Sequence, residues 1–232
     1  MIGINNASHF CWIGLTLLLM GMVFLPGQLE AQGLINLPAP SMQGIVSVEK
    51  ALKNRRTIRR FANKALTQAQ LSQLLWAAYG LTDPRGLKTA PSAGALYPLD
   101  IYVVLGERQV SDLASGVYHY LPEKQALRSR RSGDVRNAVA RASIYQNWMA
   151  EAPVMIVITG EYRRSQIKYG QRGIMYTHME SGHAGQNIFL QAEALGLGAG
   201  IVGAFDRAAI TRTLELPSAH DPLLIMPIGY KF

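Results

Sequence analysis

Cysteine is almost missing: Cys11 is the only one in 232 residues, and it lies in an apolar stretch near the N-terminus. The chain beyond that stretch therefore has no disulfide framework, no cysteine-based metal site and no thiol nucleophile, and no metal site is expected. Charge is sparse as well, at 16% of residues against 49% hydrophobic, which excludes a disordered tail or a fibrous repeat. Acidic residues are the scarcer sign, 15 against 23 basic, for a net charge of +8. That excess favours anionic partners. The arginines are scattered (Arg55, Arg56, Arg59, Arg60; Arg128, Arg130, Arg131; Arg163, Arg164) and no zinc-finger or helix-turn-helix pattern accompanies them. Nucleic acid is thus not the expected partner, and a phosphate-bearing cofactor or a solvated surface explains the arginines at least as well. A dinucleotide fingerprint is lacking too, because Gly196, Gly198, Gly200 and Gly203 follow a helical pattern where the fingerprint opens a helix after a strand.

What the N-terminus does have is an apolar run without charge over residues 10–27, followed by Leu29, Glu30 and Ala31. It reads as a cleaved secretory signal peptide, with an uncleaved membrane anchor as the alternative, because the segment before it carries no Lys or Arg and the run is just long enough to span a bilayer. Either way the protein is expected to be exported, acting outside the cytoplasmic membrane or tethered to it. Residues 1–31 are assigned to this leader, 32–46 to a Pro-rich linker and 47–232 to one folded domain, of a size that buries a sufficient core unaided.

Within that domain, residues 48–54 are helix-like. Thr67 with Gln70 makes a capping box, and Leu71, Leu74, Leu75 and Ala78 repeat on one face up to Gly80. Residues 99–105, 117–121 and 153–160 read as strands by length and β-branching, with a helix over 135–149 between the last two. A long helix over 175–195 carries Gly182 and Gly185 on one face and ends at Gly196. Strands over 199–203 and 223–228, separated by a helix that Asp206 caps, complete a mixed sheet covered by helices, an α+β sandwich.

Three segments carry candidate chemistry. Arg55, Arg56, Thr57 and Arg59 place three guanidinium groups and a hydroxyl within five residues, which suits a phosphate. Taken alone, such a run is also an ordinary solvated face. The small-residue loop Pro91, Ser92, Ala93, Gly94 up to Pro98 enters a strand and offers backbone N–H groups to a flat polar ring. Glu180, His183 and Gln186 are spaced as one polar face of the long helix.

Six pieces in order resemble the nitroreductase superfamily, and more closely its SagB-type branch, which includes azoline dehydrogenases: RRTIRRF (55–61), PSAGALYP (91–98), GVYHY (116–120), Lys168-Tyr169 within KYGQRGIMY, ESGHAGQNIFLQAEALGLG (180–198) and PIGY (227–230). The resemblance implies a homodimer holding FMN at each subunit interface and hydride transfer through the flavin. It assigns Arg55, Arg56, Thr57 and Arg59 to the FMN phosphate and ribityl chain, Pro91, Ser92, Ala93 and Gly94 to the ring, and the backbone at Gly203 and Ala204 to the flavin N5 side. Lys231 is the only candidate for the basic residue that many relatives carry after the terminal Gly-Tyr. The usual Asn of the ring loop is replaced by Gly94-Ala95, as in the SagB-type branch. By the same resemblance Lys168 and Tyr169 are the catalytic pair; an ammonium beside a phenol favours phenolate, a base that can take a proton as hydride departs. The expected function is two-electron FMN oxidoreduction on a small-molecule or peptide substrate, with an NAD(P)H-dependent nitro or quinone reductase or a non-catalytic flavin-binding protein as alternatives.

Overall fold

The computed structural model describes Gly3 and residues 34–232; the leader assigned to 1–31 lies outside these. The described chain from residue 34 on forms one compact unit, and no helix in it is long and apolar enough to cross a membrane.

Its centre is a seven-stranded sheet: β1 (Leu34–Asn36), β2 (Leu99–Leu105), β3 (Gly116–Leu121), β4 (Ala126–Ser132), β5 (Val154–Gly160), β6 (Leu197–Ala199) and β7 (Asp221–Tyr230), in the order β1-β4-β3-β2-β5-β7-β6. Every ladder is antiparallel. The sheet is therefore not mixed as expected; parallel pairing among the described residues is confined to isolated bridges such as Thr57 to Ala199.

β2 and β5 are apolar but for Asp100 and Thr159 near their ends, because helices cover both faces and successive side chains enter opposite cores. Ile101, Val103, Leu105, Ile156 and Ile158 join one core with Leu71, Leu74 and Leu75 of α2 (Gln68–Tyr79) and Ile188 of α5 (Arg172–Ala194). Tyr102, Val104, Met155 and Val157 join the other with Val139 of α3 (Arg136–Ala142) and Ile210 of α6 (Arg207–Leu214). Ile156 is fully buried, and Ile156→Ala is expected to cost about 2–5 kcal/mol, read as a lower midpoint in denaturant unfolding.

Two helices behave as their caps dictate. Ser47 caps α1 (Val48–Asn54), and Thr67 and Gln70 close a full capping box on α2. Elsewhere the expected boundaries shift. The linker set at 32–46 contributes β1, and its Pro38 and Ser41 bond to Ser72 and Gln73 of α2, so ordered structure begins well before Ser47. The single helix over 135–149 is broken by Ile144 and Tyr145 at positive φ, leaving α3 and a short 3₁₀ turn at Asn147–Glu151. The strand expected over 199–203 is instead β6 plus a bridge from Val202 to Ile225. β4 and α4 (Tyr162–Tyr169) were not legible, since both are dominated by polar residues.

Candidate active site

The loop between α2 and β2 is held in a tight, locally strained path. Ser92 accepts the Ala95 N–H through its carbonyl at 3.0 Å and the Tyr97 N–H through its hydroxyl at 2.9 Å. Gly94, Ala95 and Tyr97 all have positive φ, at 63°, 53° and 47°. Two of these are not glycine, a concentration of left-handed backbone typical of ligand loops.

Over Gly94 lies the end of α4. A Cβ on Gly94 would stand 2.7 Å from the Tyr169 hydroxyl and 3.2 Å from the Lys168 ammonium, so a side chain there would force the hydroxyl to shift and crowd the ammonium. The pair occupies the last turn of α4, which Gly170 terminates at φ 53°. Tyr169 packs edge-on against Tyr176 of α5, ring centroids 5.0 Å apart. Gly173 lets α5 approach α4 closely, for a Cβ there would meet the backbone of Ser165 and Gln166 at 2.7 Å. The structure thus brings Gly94, Lys168 and Tyr169 together from segments more than seventy residues apart.

The basic segment runs along the far end of the sheet. Ile58 N–H bonds to the Ala199 carbonyl at 2.9 Å, and Gly198 and Gly200 leave room for Ile58 and Trp148, each 2.7 Å from where a Cβ would stand. This close passage explains Gly198 and Gly200, while Gly196 ends α5 at φ 72°. Arg55 lies over the Phe189 ring and Arg59 over Trp148, at 5.1 and 5.8 Å. Among the described residues neither has a carboxylate partner within ion-pair distance. Uncompensated guanidinium groups beside a half-buried Thr57 fit a phosphate. Arg56 is turned onto its own backbone, donating to the Lys53 and Arg55 carbonyls, and Lys231 is ion-paired with Glu193 at 2.6 Å. Gly203 and Ala204 form an exposed backbone turn, with only Leu224, 3.9 Å away, near the place of a Gly203 Cβ. Nothing among the described hydrogen bonds or ion pairs joins the basic segment to the ring loop within one chain.

Two groups near the loop escaped the sequence reading. Glu180, expected on a polar helix face, is buried while His183 and Gln186 are exposed. It accepts the Tyr79 hydroxyl at 2.6 Å, and burial raises its carboxyl above the ordinary range. The second is a charged cluster at the end of β2, where Asp100 accepts from His119 at 2.9 Å and stands 2.8 Å from the Arg164 guanidinium. Arg164 also pairs with Glu161 at 2.7 Å, and His220 Nε2 lies 3.6 Å from Asp100. Asp100, Glu161 and His220 are spaced so that they could hold a metal ion, but Arg164 already supplies the positive charge between the two carboxylates. No sequence signal foretold the cluster, because its members come from separate elements.

Burial raises Asp100, yet the His119 hydrogen bond and the Arg164 charge outweigh it and hold the carboxyl below its ordinary value of 3.8. Burial lowers His220 below its ordinary 6.5, against the pull of Asp100. In both cases the unfolded chain binds the proton more readily, so stability falls as pH falls, first below about 6.5 through His220 and again below about 4 through Asp100. Melting curves should show a larger loss between pH 7 and 5 for the wild type than for His220→Gln. Equal losses would contradict this assignment.

A cavity of about 840 Å³ lies elsewhere, between residues 39–48, α2 and α5, lined in part by Met42, Ile45, Val48 and Trp76. A smaller one of about 220 Å³ opens beside Asp100 and Arg164.

Comparison with known proteins identifies the family of this fold. Residues 52–230 match the model of the nitroreductase family. A protein of Methanocaldococcus jannaschii named as a nitroreductase is 43% identical over 186 residues, covering 80% of this chain and 92% of that one. The microcin B17-processing protein McbC of Escherichia coli is 27% identical over 164 residues, covering 68% of this chain and 60% of that protein. A crystal structure described as a nitroreductase from Ralstonia eutropha superposes with a TM-score of 0.76 at 28% identity, over 87% of this chain and 91% of that one. The chain belongs to the nitroreductase family, on its SagB-like side.

Proposed function

We propose that this protein is an FMN-dependent oxidoreductase that removes a hydride and a proton from a small-molecule or peptide substrate. The observation that carries this reading is the placement of the Tyr169 hydroxyl and Lys168 ammonium over Gly94 of the ring loop. The chemistry FMN supplies when bound is acceptance of the hydride. Arg55, Arg59 and Thr57 would hold its phosphate, and the loop from Pro91 to Gly94 would lie beside its ring, with the exposed turn at Gly203 and Ala204 as the further backbone contact. Tyr169 would act in its phenolate form and take the proton at its oxygen, becoming the neutral phenol, and the Lys168 ammonium would be the counter-charge of the phenolate before that transfer. Arg56 and Lys231 are left outside the phosphate site, engaged as they are with backbone and with Glu193.

The resemblance that points to FMN also points to a homodimer holding one FMN at each subunit interface. Exposed Met175 and Met179 on α5, with Met42, Ile45 and Val48 beside the larger cavity, offer an apolar surface for it. The similarity to McbC makes a peptide-borne azoline the substrate class to try first. The relatives named as nitroreductases favour a second reading, reduction of nitro or quinone compounds with a reduced nicotinamide. The two are separated by mixing FMN-loaded protein anaerobically with a thiazoline-bearing peptide or with NADH. Bleaching of the flavin by the peptide, with loss of two hydrogens from it, supports the dehydrogenase; bleaching by NADH alone supports the reductase, and bleaching by neither leaves a flavin-binding protein.

Export rests on the apolar run over residues 10–27. Cell fractionation should find the protein at the membrane or outside the cytoplasm, and full-length protein in the cytosol with Met1 intact would overturn that expectation.

A further inference from the structure

The helix that bears Lys168 and Tyr169 is only eight residues long and has no side-chain cap at its N-terminus. So short a helix has little stability of its own, and its position must come from tertiary contacts. Arg164, one turn before Lys168, supplies two of them and a third contact within the helix itself. Its guanidinium donates to the Tyr97 carbonyl at 3.3 Å, near the end of the ring loop. It pairs with Asp100 of β2 at 2.8 Å and with Glu161 at the helix start at 2.7 Å. Asp100 is itself fixed by the His119 hydrogen bond. One planar group thus sets the distance between loop, sheet and helix, a task for which a lysine ammonium lacks the geometry.

We propose that Arg164 is a positioning residue that holds Lys168 and Tyr169 in register over Gly94, a role that rests on the pair being the catalytic groups argued above. With the charge of Arg164 already between Asp100 and Glu161, the cluster serves as a clamp and not as a cation site.

The test uses the FMN-loaded full chain with Arg164→Lys, and Arg164→Ala in the presence and absence of added guanidinium ion. In Arg164→Lys, amide exchange should quicken together in residues 92–97 and 165–170 while the core strands stay protected, a readout that needs no substrate. On whichever probe bleaches the wild-type flavin, kcat should fall about 10- to 100-fold with KM and flavin content unchanged, as a small misplacement of reacting groups predicts. Guanidinium should restore part of kcat in Arg164→Ala. Unchanged exchange and turnover in Arg164→Lys would overturn the proposal, as would a loss matched by flavin release or by uniform unfolding. Tyr169→Phe run in parallel separates the failures: if it is fully active the catalytic reading falls and takes this one with it, whereas an inactive Tyr169→Phe beside an unimpaired Arg164→Lys overturns the positioning role alone.

Discussion

Tyr169→Phe is expected to lower turnover on the order of 10²–10⁴-fold while leaving bound flavin unchanged, the usual consequence of removing a general base. The expectation follows from where the hydroxyl is. It projects onto Gly94, in space that any other residue's Cβ would invade, while the ring is held edge-on by Tyr176. Phenylalanine keeps that packing and loses only the oxygen, so a fall in kcat reports chemistry and not collapse. Lys168→Met should act in the same direction, because its ammonium stands beside the Tyr169 hydroxyl over Gly94 and would face the same reacting atoms. Rapid-mixing measurement of flavin bleaching separates this from slower binding. Loss of flavin in Tyr169→Phe, or full activity, would return both residues to a structural role.

The second large effect is expected at the other end of the site. Arg55 and Arg59 have no carboxylate partner among the described residues, and each charge-assisted bond to a phosphate contributes roughly 1.5–3 kcal/mol. Replacing both with alanine should weaken FMN binding by about 10²–10⁴-fold, measured by fluorescence titration of the released flavin. The effect should also weaken with added salt for the wild type and not for the double variant, since exposed charges are screened. Lys231→Ala, by contrast, should leave affinity nearly unchanged, because its ammonium is committed to Glu193. A double variant that retains full yellow occupancy would show that the phosphate lies elsewhere.

Much of this architecture was readable along the chain because local signals agreed with the fold. The capping box at Thr67 and Gln70, the apolar runs of β2 and β5, and Asp206 at the start of α6 each carry their own physical cause. The loop containing Gly94 and the Lys168-Tyr169 pair were both found, but their meeting was not, since nothing local records a contact across seventy residues. What stayed hidden depends on tertiary context. β4 reads as a polar segment because only its first two residues face fully buried surroundings. Glu180 reads as part of a polar helix face with His183 and Gln186, yet the Tyr79 hydroxyl gives its carboxyl a partner inside the protein. Arg164 looked like one member of a scattered basic set; only the approach of Asp100 and Tyr97 from the sheet and the ring loop gives it a task. The linker was assigned from proline content alone, which says nothing of the Ser72 and Gln73 side chains that fasten it to α2.

FMN bound at the basic segment and the ring loop is the proposal on which the rest depends. The most direct measurement is to purify residues 32–232, record the visible spectrum and identify the bound cofactor by mass after denaturation. The account predicts a yellow protein releasing FMN, with no covalent adduct, and about one flavin per chain as expected for two sites in a dimer. A colourless protein that takes up no added FMN, or one releasing a different cofactor, would contradict it.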